Sequence, residues 1–529
     1  MKNYPIIIMA MIIQALSGIC RADANPYVRN IDIVRYNVFD EELNQRYGFV
    51  FKIANKLHVL TKDKVIRQEL LLQPGDTLSQ DDLAQSLRNI RALAFIGDAD
   101  AEIVNAAPDS VDLVITTEDL WTTTAGLASE GGGGLYNFTA YADEKNIAGL
   151  GIGVETEATV TSDDNNGYSL ALYYDRFLGT RNGVNVSYKD YKFEDDLYLL
   201  VYRPYYAVDT RFSYSIKIDQ QRSIPRMFYQ GEEIYRYKRD YDYLGVSGGL
   251  AFGQFTRFQP SLQYIYSGYD YGEYSGYPDI ITLPDDEKFS GPGFGLKLYT
   301  HRFINGRFLD EFGTIEDLTE HATISISTVW SGPTFGGDYE AALVALSTGF
   351  FWRPYNDFYT GFSNTHSCYY TGGYSRERIV NSTGVIAYFK PTEYQLLALR
   401  STAQLAYRQR PNYQLVLGGD NGLRGYPDRY FTGTKLSLTN FEYRLYTPIE
   451  ILTVGLGAAA FCDIGYVWDD DQRVRLADLK SDVGLGLRLG LTKSSTSRTV
   501  RLDLARALNE NNWYISFGTE NIFSLADFQ

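Results

Sequence analysis

The sequence has few residues of the kinds that build metal centres and disulfide frameworks, and it lacks the excess of basic residues that nucleic-acid surfaces need. Its 529 residues include three cysteines and four histidines. Basic residues number 49 and acidic residues 65, which gives a formal net charge of -16 at neutral pH. Because an acidic surface repels nucleic acid, we expect no nucleic-acid partner. The histidines are scattered without metal-ligand spacing, so we expect no metal site and no cofactor.

Long apolar runs are also missing, except at the N-terminus. After residue 24 we find no apolar run of about 18 residues, so no membrane-spanning helix is expected. Residues 1–24 are typical of a secretory signal peptide, with an A-x-A cleavage site ending at Ala24. A lipoprotein signal at Cys20 is less favoured, because the preceding Ile19 is large. The remaining Cys368 and Cys462 form no disulfide framework, although a single disulfide between them stays open.

Residues 26–121 differ from the rest of the chain. Apolar residues around Ile31 predict a first strand, Thr61 can cap a helix that runs to about Leu72, and Ser79 can cap a second helix. Two further strands are predicted near 100–104 and 111–116. This region is therefore expected to be a small α+β unit with the order β-α-α-β-β.

From Trp121 onward the sequence alternates like strands, in segments of roughly ten residues separated by turn residues. The abundant aromatic residues, 44 Tyr and 29 Phe, cluster near the strand ends, where a membrane interface favours them. About 400 residues of strand exceed what one soluble core usually supports. Since only a closed barrel satisfies every strand edge in lipid, residues 122–529 predict a transmembrane antiparallel β-barrel. A soluble surface protein of several β-sandwiches is the alternative.

Five strands are predicted near the C-terminus, at 434–446, 453–468, 482–492, 499–508 and 512–523. In the second of them, alternation places Phe461, Asp463 and Gly465 on the lumen face. The first changes phase between Leu438 and Phe441, which a bulge near Thr439-Asn440 would explain. The last is expected to extend through Phe523.

Two short motifs resemble those of the BamA superfamily of outer-membrane barrels. Leu423, Arg424, Gly425 and Tyr426 resemble the motif of its sixth extracellular loop. Phe461, Asp463 and Gly465 resemble the F-x-D-x-G motif of its thirteenth barrel strand. Residues 26–121 are similar to a single POTRA domain, and the segments 146–149 and 173–181 to early-barrel segments. The resemblance implies sixteen strands, eleven of them in residues 122–410.

The family motifs imply an ion pair between Arg424 and Asp463. A lone lumen carboxylate favours a fixed cation, and a guanidinium can bind it with two hydrogen bonds. Gly425 would let the backbones approach closely, so that the loop tucks into the barrel. The alternative is a solvated loop arginine and an ordinary lumen aspartate. Further lumen charges are expected to form a structural network rather than a transport route, namely Glu442, Arg444, Arg488, Arg501 and Asp503.

Enzymatic chemistry is not indicated. Residues 245–249 fit G-x-S-x-G, but they lie within a predicted strand that no helix follows, so no catalytic residues are expected. The acidic residues between His301 and His321 are expected to form a solvated loop, with a loose calcium site as the less favoured alternative.

The resemblance implies a non-enzymatic role in inserting or exporting proteins at the outer membrane, with the N-terminal domain in the periplasm. Unfolded client proteins and outer-membrane lipid would be the partners, together with accessory proteins of the periplasm or outer membrane. Because the chain has room for one POTRA domain, an accessory role is expected rather than the principal one. A channel or surface receptor is the alternative function.

Overall fold

A computed structural model provides the structure of the chain. It describes residues 25–39, 55–56, 58–132, 134–274, 282–372, 375–470, 472–493, 499–510, 512–519 and 521–528. The predicted signal peptide lies outside these residues. Within them, no helix has the length and apolar character needed to cross a membrane.

The N-terminal unit is a three-stranded sheet with two helices. Its sheet order is β1-β3-β2, with β1 parallel and β2 antiparallel to β3. The elements follow the order that the sequence predicts, while their assignment to the POTRA type stays a prediction. Their bounds are β1 Tyr27–Tyr36, α1 Asp63–Glu69, α2 Gln80–Arg91, β2 Ile96–Ala107 and β3 Ser110–Asp119.

Local capping explains α2 but not α1. The Ser79 hydroxyl accepts a hydrogen bond from the backbone N–H of Asp82 at 3.2 Å, as an N-cap residue does. The predicted cap at Thr61 is wrong, because α1 begins after Lys62 without a side-chain cap. The Thr61 hydroxyl instead donates to Asp119 at the end of β3, at 2.9 Å.

A closed antiparallel barrel follows the N-terminal unit. Its first strands are β4 Thr123–Gly132, β5 Leu135–Glu144, β6 Ile152–Thr161, β7 Gly167–Tyr174, β8 Gly183–Tyr191, β9 Glu194–Arg203, β10 Phe212–Ser223 and β11 Arg226–Tyr229. Longer strands come next, β12 Glu232–Leu250, β13 Thr256–Glu273, β14 Glu287–Gly306, β15 Glu316–Ser331, β16 Ala341–Tyr355, β17 Phe358–Thr371, β18 Ser375–Thr392 and β19 Gln395–Tyr407. The barrel closes with β22 Lys435–Ile451, β23 Val454–Trp468, β24 Lys480–Leu491, β25 Thr499–Ala507 and β26 Trp513–Gly518.

The described barrel has more strands than the sixteen expected. Twenty-one strands occur in its order, and since β10 and β11 both pair with β12, they occupy twenty positions. The excess lies before residue 408, where β4–β10 and β12–β19 supply fifteen positions instead of eleven. Strands as short as the eight residues of β7 fit twice into the length of one long strand such as β12, with 19 residues. The length of this region therefore does not determine the number of barrel strands.

Two predictions for the C-terminal strands are corrected. β22 pairs with β23 without a register shift near Thr439-Asn440, so the proposed bulge is absent from this described strand. Leu438 faces the lumen instead, where apolar residues of a loop cover it. The last strand ends at Gly518, and Phe523 is buried inside the barrel rather than continuing the wall.

Candidate functional site

The loop that contains Arg424 folds into the barrel. Within residues 408–434, the short strands β20 Leu415–Leu417 and β21 Phe431–Gly433 pair with each other and approach the inner side of β23. We call residues 408–434 the inward loop. Leu423, Arg424 and Tyr426, all at its tip, are fully buried.

Arg424 binds Asp463 through two parallel hydrogen bonds. Nε donates to Oδ2 at 2.8 Å, and Nη2 donates to Oδ1 at 2.9 Å. The guanidinium carbon also lies 3.4 Å from the centre of the Phe461 ring, in a cation–π contact. Both charged side chains are shielded from solvent, so the pair is strong only because its geometry satisfies both groups.

Two further carboxylates complete the surroundings of Arg424. Its Nη1 donates to Glu442 at 2.7 Å and to Asp503 at 3.0 Å. Burial works to lower the pKa of Arg424, but the carboxylates of Asp463 and Glu442 outweigh it and raise that pKa well above its usual range. The guanidinium therefore stays charged and acts as a fixed cation rather than as a proton donor.

Both motif glycines lie where backbone and loop approach closely. A Cβ on Gly425 would stand 2.5 Å from the Cβ of Asp482, whose carboxylate accepts a hydrogen bond from the Gly425 N–H at 3.0 Å. A Cβ on Gly465 would lie 3.1 Å from a methyl carbon of Leu417 in β20. Side chains at these positions would push the inward loop away from the wall.

Leu423 and Tyr426 pack the tip of the loop against the wall. Leu423 joins an apolar cluster with Leu417 and Leu438. The Tyr426 hydroxyl donates to the backbone oxygen of Ser481 at 3.3 Å and contacts Asn509 at 3.1 Å. Burial raises the pKa of Tyr426 to about 12, so the phenol stays neutral. All seven motif residues thus meet at one site inside the barrel.

Two residues of the site were missed by sequence reasoning. Asn440 donates to Asp463 at 2.7 Å and to the backbone oxygen of Gly422 at 2.8 Å. The Asp482 carboxylate accepts a hydrogen bond from the Gly425 N–H. Both lie on the inward face of their strands, so strict alternation would have found Asn440 if no bulge had been assumed there.

The predicted network of lumen charges continues from the loop toward the other end of the barrel. Glu442 joins Arg424 to Arg444, whose Nε donates to it at 2.8 Å. Arg488 and Arg501 surround Asp503 on the other side. Arg444 Nη1 then reaches Asp310 at 2.8 Å. We call the barrel end next to the N-terminal unit the near end, and Asp310 lies there.

A C-terminal tail, residues 521–528, fills the near end. Phe523 and Leu525 are buried, and the Leu525 N–H donates to Asp310 at 2.6 Å. Arg444 donates to the backbone oxygen of Phe523 at 2.8 Å. Asp310 therefore lies at a packed lumen contact, which corrects the expectation of a solvated acidic loop between His301 and His321.

Two wall glycines make room for the end of the tail. A Cβ on Gly361 would lie 3.2 Å from the Cβ of Phe528, and one on Gly384 would lie 3.0 Å from its ring. These glycines belong to β17 and β18, which are neighbours in the barrel. The Phe528 ring thus occupies a recess that larger side chains would fill.

The barrel closes at a weak seam between β26 and β4. In the described part of these strands, Phe517 opposite Gly131 is the single aligned backbone pair. By contrast, β25 and β26 are aligned from Arg501 to Arg506. A stacked contact between the Phe517 and Tyr136 rings, with centres 6.2 Å apart, lies across the seam. Little backbone pairing holds the first and last strands together.

The N-terminal unit docks on the two early-barrel segments singled out in the sequence. Glu69 of α1 is buried and forms an ion pair with Arg176. Burial raises the pKa of the Glu69 carboxyl, against the opposing attraction of Arg176 and Arg181. Asn146 donates to the Thr61 hydroxyl at 2.7 Å.

Helix α2 forms a second contact with the near end. Arg91 donates to the carboxylate of Asp317 at 2.6 and 3.0 Å. The guanidinium of Arg88 lies over the ring of Phe303 at 3.7 Å. A cleft of about 480 Å³ remains between α2 and the barrel and is lined in part by the tail residue Ser524.

Metal or disulfide chemistry gains no support in the described residues. They contain no group of three or more His, Cys, Asp or Glu that could hold a metal ion. Cys368 and Cys462 are free thiols, so the open alternative of a disulfide between them is not realised.

The fold and the site define a class, a closed antiparallel β-barrel with a small N-terminal domain and a loop held inside its lumen. The motifs around Arg424 and Asp463 resemble those of the BamA superfamily. Over 130 residues it is 33% identical to a "Putative outer membrane protein assembly factor" of Treponema pallidum (strain Nichols). That match covers 23% of this chain and 15% of the relative. No protein-family model matches the chain.

Solved barrels are similar at low identity. CdiB from Escherichia coli is 12% identical with a TM-score of 0.47, covering 93% of this chain and 76% of that one. CdiB from Acinetobacter baumannii is 13% identical with a TM-score of 0.44, covering 94% and 90%. BamA from Haemophilus ducreyi lacking POTRA domains 1–3 is 13% identical with a TM-score of 0.39, covering 93% and 85%. Values this low say nothing about activity or partners.

Proposed function

We propose that the chain is an outer-membrane factor that inserts or exports client proteins without enzymatic chemistry, in an accessory role. The observation that carries this proposal is the seam. A single backbone pair joins Phe517 and Gly131, so opening costs few hydrogen bonds there. An open seam would present two strand edges, and an unfolded client strand can pair with such edges.

The barrel wall is also short beside the seam, where β4 has ten residues. β26 has six residues and β25 nine, whereas β12 has 19 and β14 has 20. At a rise of about 3.3 Å per residue, the strands next to the seam span less of the membrane thickness than β12 and β14 do. A short hydrophobic wall thins the adjacent bilayer at a modest cost, which would lower the barrier to insertion.

The filled lumen argues against a permanently open pore. The inward loop closes one part of the lumen through Arg424, and the C-terminal tail occupies the near end through Phe523 and Phe528. In this proposal the near end faces the periplasm, together with the N-terminal unit. A channel or receptor would instead need a continuous path or a free ligand cavity through these packed elements.

The edge strand β2 is the proposed client contact in the N-terminal unit. It lies at one edge of the sheet and exposes Ile103 and Val104, by 38% and 41%. The opposite edge strand is partly occupied, because the Val28 N–H donates to Asp76 at 2.8 Å and its carbonyl accepts from Gly75 at 2.7 Å. A client strand can therefore add to β2 more readily than to β1.

A covalent tether across the seam tests the proposal. Cysteines replacing Tyr136 and Phe517, in a chain with serine at positions 368 and 462, would be linked by a short bifunctional maleimide. We expect the untethered protein in liposomes to speed folding of an unfolded outer-membrane barrel, and the tether to abolish the gain. A control tether joins cysteines at the outward-facing, paired positions Leu487 and Leu502.

The outcomes separate the two functions. If neither tether changes folding, or if wild-type protein gives no acceleration over empty liposomes, the assembly proposal is wrong. Large and steady single-channel steps from wild-type protein would favour the channel. In the same assay, Ile103→Lys should slow client folding because a charge blocks an edge, whereas Val34→Lys on β1 should leave it unchanged.

A further inference from the structure

The outer wall of β17 and β18 carries polar side chains where lipid is expected. Gly361 and Gly384 face the lumen, because a Cβ on either would meet Phe528 of the tail. Since side chains alternate along a strand, Asn364 and Thr383 face outward. Their direct pairing in the register agrees with this placement.

The same face carries two more polar residues, His366 and Asn381, which are also paired in the register. We call Asn364, His366, Asn381 and Thr383 the polar wall patch. None of the four carries a full positive or negative charge when the imidazole is neutral. The patch is therefore a set of hydrogen-bonding groups without a fixed charge.

The patch lies between the aromatic ends of the wall, not beyond them. On β18 the exposed Phe389 lies on the near-end side of the patch. The exposed Tyr407 lies on the opposite side of the patch. It belongs to β19 and comes two residues after Leu405, which is the register partner of Asn381. Aromatic residues of this kind mark the two membrane interfaces, so the patch faces the hydrocarbon region between them.

The patch satisfies part of its own hydrogen-bonding capacity. Asn364 Nδ2 donates to the Thr383 hydroxyl at 2.8 Å, to Asn381 Oδ1 at 3.3 Å and to the Ser382 backbone oxygen at 3.3 Å. Asn381 Nδ2 donates to Asn364 Oδ1 at 3.5 Å, and the Thr383 hydroxyl donates to Asn381 Oδ1 at 3.3 Å. Since an amide nitrogen carries two N–H groups, one N–H of Asn381 has no partner among these groups. His366 is exposed, and no hydrogen bond to it occurs among the described residues. Unpaired polar groups are costly in lipid, and such positions mark contacts with another polar surface.

We propose that the polar wall patch is the contact surface for a second copy of this chain in the outer membrane. Carboxamides and hydroxyls both donate and accept, so the patch is complementary to itself when a two-fold axis along the membrane normal relates two copies. A charged partner would find no counter-charge here. Apolar residues beside the patch, such as Phe362 and Val385, would pack around the polar contact.

This inference rests on the outer-membrane location given in the proposed function, but it does not depend on client insertion at the seam. The test measures the mass of the full-length protein in lipid nanodiscs and in mild detergent over a range of concentrations. We expect a dimer for the wild type. Asn364→Leu with Asn381→Leu should weaken dimerisation by about tenfold or more, since the hydrogen bonds between the copies would be lost.

A matched control places the same change elsewhere on the outer wall. Thr156→Leu on β6 also removes a lipid-facing polar group, and it should leave the dimer unchanged. A heat-dependent gel shift checks that each variant is folded. A monomeric wild type at every concentration would overturn the proposal, as would a dimer that Thr156→Leu weakens as much as the paired asparagine changes.

Discussion

Glu442 accepts hydrogen bonds from two arginines at once. One carboxylate oxygen receives Nη1 of Arg424 at 2.7 Å, and the other receives Nε of Arg444 at 2.8 Å. Arg424 belongs to the inward loop, while Arg444 holds the C-terminal tail and Asp310 at the near end. A single side chain on β22 thus connects the two elements that fill the lumen.

Replacing Glu442 should therefore loosen both elements together. Glu442→Gln keeps the shape but leaves two buried guanidinium groups short of a counter-charge, which should cost about 3 kcal/mol. Urea unfolding in detergent, followed by the gel shift of the folded barrel, measures the loss. Glu450→Gln, at an exposed position on the same strand, is the control. Equal stability of the two variants would show that Glu442 does not connect the elements.

Arg424→Ala should be the most destabilising single change in the inward loop. This change leaves the buried carboxylates of Asp463, Glu442 and Asp503 without the cation that they share. It should lower the free energy of unfolding by roughly 3–5 kcal/mol. Arg424→Lys keeps the charge but loses the bidentate geometry, so an intermediate loss is expected. Protease cleavage within residues 408–434 reports release of the loop. Arg408→Ala, at an exposed position in the same loop, should change neither readout.

The sequence was sufficient for the centre of the site. Alternation along β23 places Asp463 on the lumen face, and the guanidinium of Arg424 can bind a lone lumen carboxylate with two hydrogen bonds. Asn440 is not predicted, because the apolar Leu438 and Phe441 lie on opposite faces of β22 and so suggest a bulge between them. That leucine packs on Leu423 of the loop, a contact between segments that no local pattern reveals.

The near end could not be predicted for a similar reason. Aromatic alternation from Trp513 suggests that the last strand continues through Phe523, yet the chain turns inward after Gly518. Asp310 and Arg444 bind the tail inside the barrel, and both come from distant parts of the sequence. The predicted number of strands is wrong because the sequence of a short strand such as β7 does not differ from that of half a longer strand.

Removing the tail should open the near end of the lumen. Deletion of residues 521–529 removes Phe523 and Phe528 from the apolar cluster and should raise single-channel conductance in planar bilayers. Gly384→Leu should have the same direction of effect with the tail intact, because the new side chain would occupy the Phe528 recess. Gly248→Val, where nothing lies within 4 Å, is the control. Unchanged conductance in both test variants would mean that the tail does not close the lumen.

The ion pair between Glu69 and Arg176 should fix the N-terminal unit on the barrel. Arg176→Glu places two carboxylates together in a buried contact and should release the unit, since like charges repel strongly there. The distance between spin labels on α2 and on the exposed end of β16 would then become broad. Combining Arg176→Glu with Glu69→Arg restores an ion pair of reversed direction and should restore a narrow distribution. If the Arg176→Glu variant keeps a narrow distribution while it remains folded, the ion pair does not hold the unit. Neighbouring contacts such as Asn146 to Thr61 would then be sufficient to position it.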